Sequence, residues 1–269
     1  MKVVRSGLLA VAAMSVIGSG AYAQSREYQP NGARVGSFTV YPSLLVGVEY
    51  TDNAFTEENN GVSDIIGRVN PRILARSDFK RHEVVARAGL NATFHENNDD
   101  DNTTDANAAV EGRIDATRAL AIRPSASYTQ RSEARGSDNV AGNAAEPVTS
   151  DAMRAGLGFD YTVGRMAFKL DGSATYVDYE DIALVGGGID NQDDRDRLEL
   201  RTSARVAYEV RPRLSLFLNG GYSMFDYDNV DDALLVKRDS DVYNVGAGVA
   251  YKPTARTELS VGAGYISQS

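Results

Sequence analysis

No cysteine occurs in the 269 residues, and histidine occurs only twice, at His82 and His95. The first absence removes any disulfide framework and any thiolate metal site. The second leaves an enzyme almost no imidazole to use as a base, and no motif marks a serine beside either ring. His95 with a nearby Ser or Thr is the one hydrolytic arrangement left. The plainer reading is a polar residue at the end of a strand. Gly186-Gly187-Gly188 lacks the Lys-Ser/Thr of a phosphate-binding loop and reads as a flexible connection. Asn91-Ala92-Thr93 and Asn102-Thr103-Thr104 match a glycosylation tripeptide that is common by chance, and the first would lie inside a strand.

Long hydrophobic runs are missing too. Met1 to Arg5 is a short positive leader, Gly7 to Ile17 is apolar, and Ala21-Tyr22-Ala23 has the small-x-small form of a cleavage site. Residues 1–23 therefore read as a secretory signal peptide cut before Gln24. Nothing after it approaches the twenty apolar residues of a membrane helix. Removing Lys2 and Arg5 leaves 26 basic against 37 acidic residues, a formal charge of −11. Such a chain repels phosphate backbones, so nucleic acid is excluded as a partner.

What the sequence does have is alternation. In Leu198 to Val210, the residues Leu198, Leu200, Thr202, Ala204, Val206, Tyr208 and Val210 fall on one face, and Glu199, Arg201, Ser203, Arg205 and Glu209 on the other. A period of two over that length is a strand, about twice the usual soluble length. Similar runs occupy Val84–Phe94, Met153–Val163, Met166–Tyr176 and Tyr243–Tyr251, with weaker ones near 40–53, 64–75, 106–116, 120–131, 214–226 and 257–267. Together these predict eleven strands.

The connections alternate as well. Short ones near 77–82, 117–118, 164–165, 211–213 and 252–256 each carry Lys or Arg; long ones near 54–63, 96–105, 132–150, 180–195 and 228–239 are mostly rich in Asp, Asn and Gly. With the export signal, this describes an all-β, antiparallel, up-and-down transmembrane β-barrel of the outer membrane. Residues 24–36 form a periplasmic tail and 37–269 the barrel. Aromatics near the ends of the apolar face (Phe94, Tyr176, Tyr208, Tyr243, Tyr251) suit interface girdles. A soluble periplasmic β-sandwich also alternates, but its strands are usually about half as long as these. Glu96 to Ala106, ENNDDDNTTDA, then becomes the solvated tip of a long loop. It lacks the spacing of an EF-hand calcium loop, and no cofactor or metal is expected.

Several stretches carry a family resemblance: YPSLLVGVEYTDNAF, RVNPRILARSDFKRHEV, AAEP at 144–147, NQDDRDR at 191–197 and KRDSD at 237–241. From about Val35 onward the chain resembles the putative β-barrel porin 2 family of Gram-negative outer-membrane proteins. The resemblance implies a barrel often associated with exopolysaccharide or capsule production, with no catalytic residue to carry over.

The charged face is the candidate site. Arg68, Arg72, Arg87, Arg113, Arg123, Arg154, Lys169, Arg201 and Arg205 share it with Glu49, Glu111, Asp115, Asp160, Asp171, Glu199, Glu209 and Glu258. Two readings stand: a lining that sets a pore's selectivity, or a network of mutual ion pairs that closes it. The first gives a porin-like channel or a barrel accessory to surface polysaccharide. The second gives a structural or adhesive surface barrel whose acidic loops do the work. Expected partners are outer-membrane lipid and lipopolysaccharide, the outer-membrane assembly machinery, and a polysaccharide. Eleven strands place the first and last parallel, and the resemblance is to longer proteins, so the chain is expected to be a fragment lacking C-terminal strands.

Overall fold

The computed structural model describes residues 13–18, 32–54, 61–137, 139–230, 236–254 and 257–269, for 13–18 the backbone alone. The cleavage point after Ala23, most of the tail at 24–36, and parts of the 54–63, 228–239 and 252–256 connections lie outside them. Strands are numbered along the chain: β1 (Ala13–Gly18), β2 (Ala33–Val35), β3 (Phe38–Thr51), β4 (Asp64–Ser77), β5 (His82–His95), β6 (Thr103–Asp115), β7 (Leu120–Glu133), β8 (Val148–Val163), β9 (Met166–Tyr179), β10 (Ile182–Ala183), β11 (Ile189–Asp190), β12 (Arg197–Arg211), β13 (Leu214–Tyr227), β14 (Ser240–Thr254) and β15 (Thr257–Gln268). All eleven predicted strands are present, each 12 to 16 residues long.

One antiparallel sheet holds them in sequence order, β15 through β12, then β9 back to β2, with β1 beyond β15. Each long strand pairs with the next long strand of the chain, and the short-end connections range from two residues, as at 164–165, to four, as at 78–81 and 116–119. Gly164 takes φ 58° between β8 and β9, a left-handed conformation that costs glycine nothing. The sheet does not close. Its long edge strands, β3 and β15, run in the same direction, whereas an antiparallel seam requires an even number of strands. Two short N-terminal pieces lie along those edges, but β1 falls within residues 1–23, read above as a cleaved signal peptide, so a mature chain would carry β2 alone. β2 pairs with the first residues of β3, from Val35 opposite Phe38. β1 pairs with β15, Gly18 opposite Thr257.

Register separates the faces as the alternation requires. Leu44, Val46, Val48, Leu170, Leu216, Leu218, Val245, Val249 and Val261 are exposed on one face. A soluble sheet buries such a face; here its breadth fits contact with hydrocarbon. Aromatic rings flank it in two belts. Tyr176 and Tyr243 lie eight residues from Phe168 and Tyr251 along β9 and β14, about 26 Å of strand at 3.3 Å per residue. That matches the apolar band of an outer-membrane barrel, about 25 Å tall, with allowance for strand tilt.

The polar face is the concave one. A Cβ added at Gly156, Gly158 or Gly221 on that face would come within 2.6–2.7 Å of a neighbouring side chain, whereas at Gly67, Gly172 or Gly220 on the apolar face nothing lies closer than 3.7 Å. Gly112 on the apolar face, 3.1 Å from Pro124 Cγ, and Gly47 on the polar face, with nothing within 4 Å, are exceptions. Side chains converge on the inside of a curved wall and diverge on its outside.

Candidate functional site

Seven strands, β6 to β9 and β12 to β14, line one cavity on the concave face, about 580 Å³ in volume. Its wall carries Arg123, Arg154 and Arg201 with Glu111 and Asp171, among Ser125, Ser173, Ser203, Ser223 and Asn244. Every lining residue is a strand residue. The site therefore follows from register: a one-residue slip of any strand would send its hydroxyls and guanidinium groups to the apolar face.

The structure sets Arg68, Arg72, Arg87, Arg113, Arg154, Asp160, Lys169, Asp171, Glu199, Arg201, Arg205 and Glu209 on this polar face. Most are paired along the wall. Arg87 meets Glu111 at 2.9 Å, Arg113 meets Asp115 at 3.0 Å, and Arg201 meets Glu199 at 2.8 Å. Arg68 pairs with Glu49, and Lys169 lies 3.8 Å from Asp171. Arg123 holds Asp160 and Asp171, each at 2.7 Å. Glycine makes that possible: at Gly158 a Cβ would meet Arg123 Cζ at 2.8 Å and Asp171 Oδ1 at 2.7 Å. Glu209 accepts from the backbone N–H of Arg213 at 3.3 Å. Arg154 donates to Ser173 Oγ at 2.9 Å, and Arg205 stacks over the Phe217 ring at 3.8 Å. Among these pairs, none joins strands more than two places apart in the sheet.

Aromatics on this face were not anticipated. Phe217, Phe225 and Tyr227 of β13 carry Arg205, Arg201 and Arg197 at 3.8, 5.4 and 5.8 Å from their ring centroids. The signal was present in LSLFLNGGYSMFDY, where Phe217 and Phe225 occupy the same alternate positions as Ser215, Asn219 and Ser223.

At the long-loop end the acidic connections are tied together; within Glu96–Ala106, read as a solvated tip, Glu96, Asn97, Asp99, Asp100 and Asn102 are exposed and Asp101 is the exception. Asp101 is buried, and Arg135 donates to it through Nε at 2.6 Å and through Nη2. That carboxylate holds the Arg135 guanidinium charged, its pKa raised. Arg195 spans to both oxygens of Glu133 at 2.8 Å and stacks on Tyr179 at 3.8 Å. Arg238 donates to the carbonyl of Asp194 at 2.6 Å. Each arginine thus fastens its own connection to an element on another part of the rim. Gly186 to Gly188, with φ between 94° and 107°, turn the β10–β11 hairpin and are not a loose linker. That hairpin bonds to the 134–147 connection through Ala145 N–H to Ala183 O at 2.9 Å, and Val140, Ala144, Val148 and Ile182 form a small core beneath it.

His95 belongs to this rim. Its Nδ1 lies 2.9 Å from Asp64 Oδ2. Asp64 also accepts from Ile65 N–H at 2.8 Å, Asn97 N–H at 3.1 Å and Asn98 Nδ2 at 2.8 Å. The carboxylate therefore ties down the start of the acidic loop. No Ser or Thr hydroxyl among the described residues is bonded to the His95 ring, so the geometry brings no nucleophile to it.

Asp196, between the 3-10 turn Asp193–Arg195 and β12, is buried. Burial pushes its carboxyl up, the Tyr179 N–H at 2.7 Å pulls it down, and Asp178, Asp193 and Asp228 push it up again, to about 6. An acid with a raised pKa contributes stability below the ordinary carboxylate range and loses it as pH rises through the shifted value. The 180–196 connection is therefore expected to open more often as pH rises from 4 through 6. Hydrogen exchange corrected for intrinsic rate should show this, and Asp196→Asn should flatten the profile. Equal protection in the native protein at pH 5 and 7.5 would contradict the assignment.

A concave, hydroxyl- and charge-lined wall backed by a lipid-type apolar face defines the wall of a porin-like outer-membrane β-barrel. More particularly, the chain belongs to the family described as putative beta-barrel porin 2, whose model matches residues 26–269. Among solved structures it is similar to a loop-L8 deletion form of OmpT, an outer membrane protein of Vibrio cholerae, with 12% identity and a TM-score of 0.41, covering 86% of this chain and 100% of that one. It is also similar to the translocator domain of the autotransporter NalP from Neisseria meningitidis, with 13% identity, TM-score 0.32, 90% and 91% covered. The P. putida toluene transporter TodX gives 11% identity, TM-score 0.34, 88% and 80% covered. No curated protein matches the chain.

Proposed function

We propose that this protein is a non-enzymatic channel of the outer membrane, whose concave face lines a water-filled passage. The lateral pairing of its charges carries the reading. Ion pairs that run along a wall neutralise it without bridging the space in front, while a closing network would join distant strands. The cavity is lined by strand residues alone, with hydroxyl and amide groups that suit water and hydrated solutes. Passage of a surface polysaccharide is a finer possibility of the same channel. Insertion of the purified protein into a planar bilayer should produce discrete conductance steps. Correctly inserted, heat-modifiable protein that gives none would refute the channel.

The interlocked rim favours a second reading, a barrel whose outer loops present a stable adhesive surface, and the same recording separates the two. Either way the long-loop end faces outward. Asp151 and Asp178 stand directly opposite each other on β8 and β9, a repulsive placement that divalent cations among lipopolysaccharide phosphates would relieve. An epitope tag inserted at Asn102 should be labelled on intact cells and one at Arg165 should not. The reverse pattern would overturn the sidedness.

A further inference from the structure

We infer that the passage selects anions, with Arg72, Arg154 and Arg205 as the residues that set the preference. This rests on the channel reading above. The chain as a whole is strongly acidic, and cations and acids on the concave face are close to equal in number, so composition alone points to no preference. Pairing breaks the balance. Glu111, Asp160, Asp171 and Glu199 each lie within 2.9 Å of a guanidinium group, and Glu49 is held by Arg68, so among the described residues Glu209, bonded to the Arg213 N–H, is the one acid of this set without a cation, against three arginines without an acid. A carboxylate in such a pair offers little field to a passing ion. Arg72, Arg154 and Arg205 have no carboxylate partner among the described residues.

Their surroundings leave the charge available. Arg154 spends one Nη2 on Ser173 Oγ and is otherwise exposed beside the cavity. Arg205 is half-buried with its flat face against Phe217, an arrangement that orients the guanidinium and leaves its in-plane N–H donors free. Its cross-strand neighbours are Lys169 and Asn219, neither an acid. Arg72 is exposed between Ser43 and Gly89 in register. A guanidinium keeps its proton at any working pH and forks onto carboxylate or phosphate oxygens. Low-dielectric walls concentrate the field of such fixed charges in the passage. Around Arg154 the serine hydroxyls and Asn244 add neutral hydrogen-bonding groups, so the ligand class is a hydrated oxyanion, carboxylate or phosphate, as well as chloride.

The rim acids oppose this at the mouth, which makes the sign of selectivity a sharp test. Full-length protein in a planar bilayer under a KCl gradient should reverse on the chloride side. The triple variant Arg72→Gln, Arg154→Gln, Arg205→Gln should shift the reversal potential towards zero or to the potassium side. The corresponding triple Lys variant should keep the native sign. Millimolar inorganic phosphate should reduce chloride current through the native channel more than through the Gln variant. Cation selectivity in the native protein would overturn the inference and leave the channel standing, as would an unchanged reversal potential in heat-modifiable Gln protein. Absence of any conductance would overturn both.

Discussion

Arginine at Val245 or Leu200 is expected to prevent stable insertion, at a cost of about 2–4 kcal/mol near the bilayer midplane. Val245 lies on the apolar face between Gly220 and Tyr265 in register and is 58% exposed. In a water-soluble sheet an arginine at so exposed a position would be nearly neutral, within about 0.5 kcal/mol. The two environments therefore predict different outcomes for one substitution. Ser203→Arg, on the concave face with Asp171 opposite it, should insert normally. Folding into lipid vesicles, read as the heat-modifiable fraction on gels, measures all three. Equal damage from Ser203→Arg would mean that the faces have been exchanged by one residue.

Asp64→Ala is expected to have the second large effect. The residue is 1% exposed and its carboxylate takes five hydrogen bonds, four of them from the loop or strand end at residues 95–98. Hydrogen bonds to a charged group contribute about 1.5–3 kcal/mol each and do not simply add, so a loss of about 3 kcal/mol is expected. Asp64→Asn should cost less, because its oxygen still accepts from Ile65 N–H and Asn97 N–H and its amide N–H can donate to His95 Nδ1 once the ring carries its proton on Nε2. Protease added to Asp64→Ala proteoliposomes should cut within 96–102, where the native loop resists. A variant loop as resistant as the native one would show that Asp64 does not hold it.

The barrel wall was legible because lipid on one side and water on the other impose a strict period of two. Leu198 to Val210 shows this: its boundaries differ from those of β12 by one residue at each end. Short pieces were not legible. β2 has three residues and β10 and β11 two each, too few for alternation to register, and their pairing depends on where the chain returns. β2 nonetheless brings part of the expected periplasmic tail into the sheet. The rim failed for a different reason. Asp101 and Arg135, or Glu133 and Arg195, are separated by tens of residues, so Asp101 within ENNDDDNTTDA looked solvated until the fold brought Arg135 to it. The concave charges could be assigned to a face from sequence, but their partners could not, since pairing across strands depends on register. Arg123, Asp160 and Asp171 meet only because β7, β8 and β9 align Arg123, Gly158 and Asp171 in one row.

The absence of cysteine makes the central claim directly measurable, since any introduced thiol is unique. Single cysteines placed along β12, at Leu200, Arg201, Thr202, Ser203, Ala204 and Arg205 in turn, can be challenged with a charged, membrane-impermeant thiol reagent after reconstitution. Arg201→Cys, Ser203→Cys and Arg205→Cys should be modified rapidly, and Leu200→Cys, Thr202→Cys and Ala204→Cys should stay silent in lipid. Uniform labelling, or labelling of the opposite set, would contradict a wall with lipid on one face and an aqueous passage on the other.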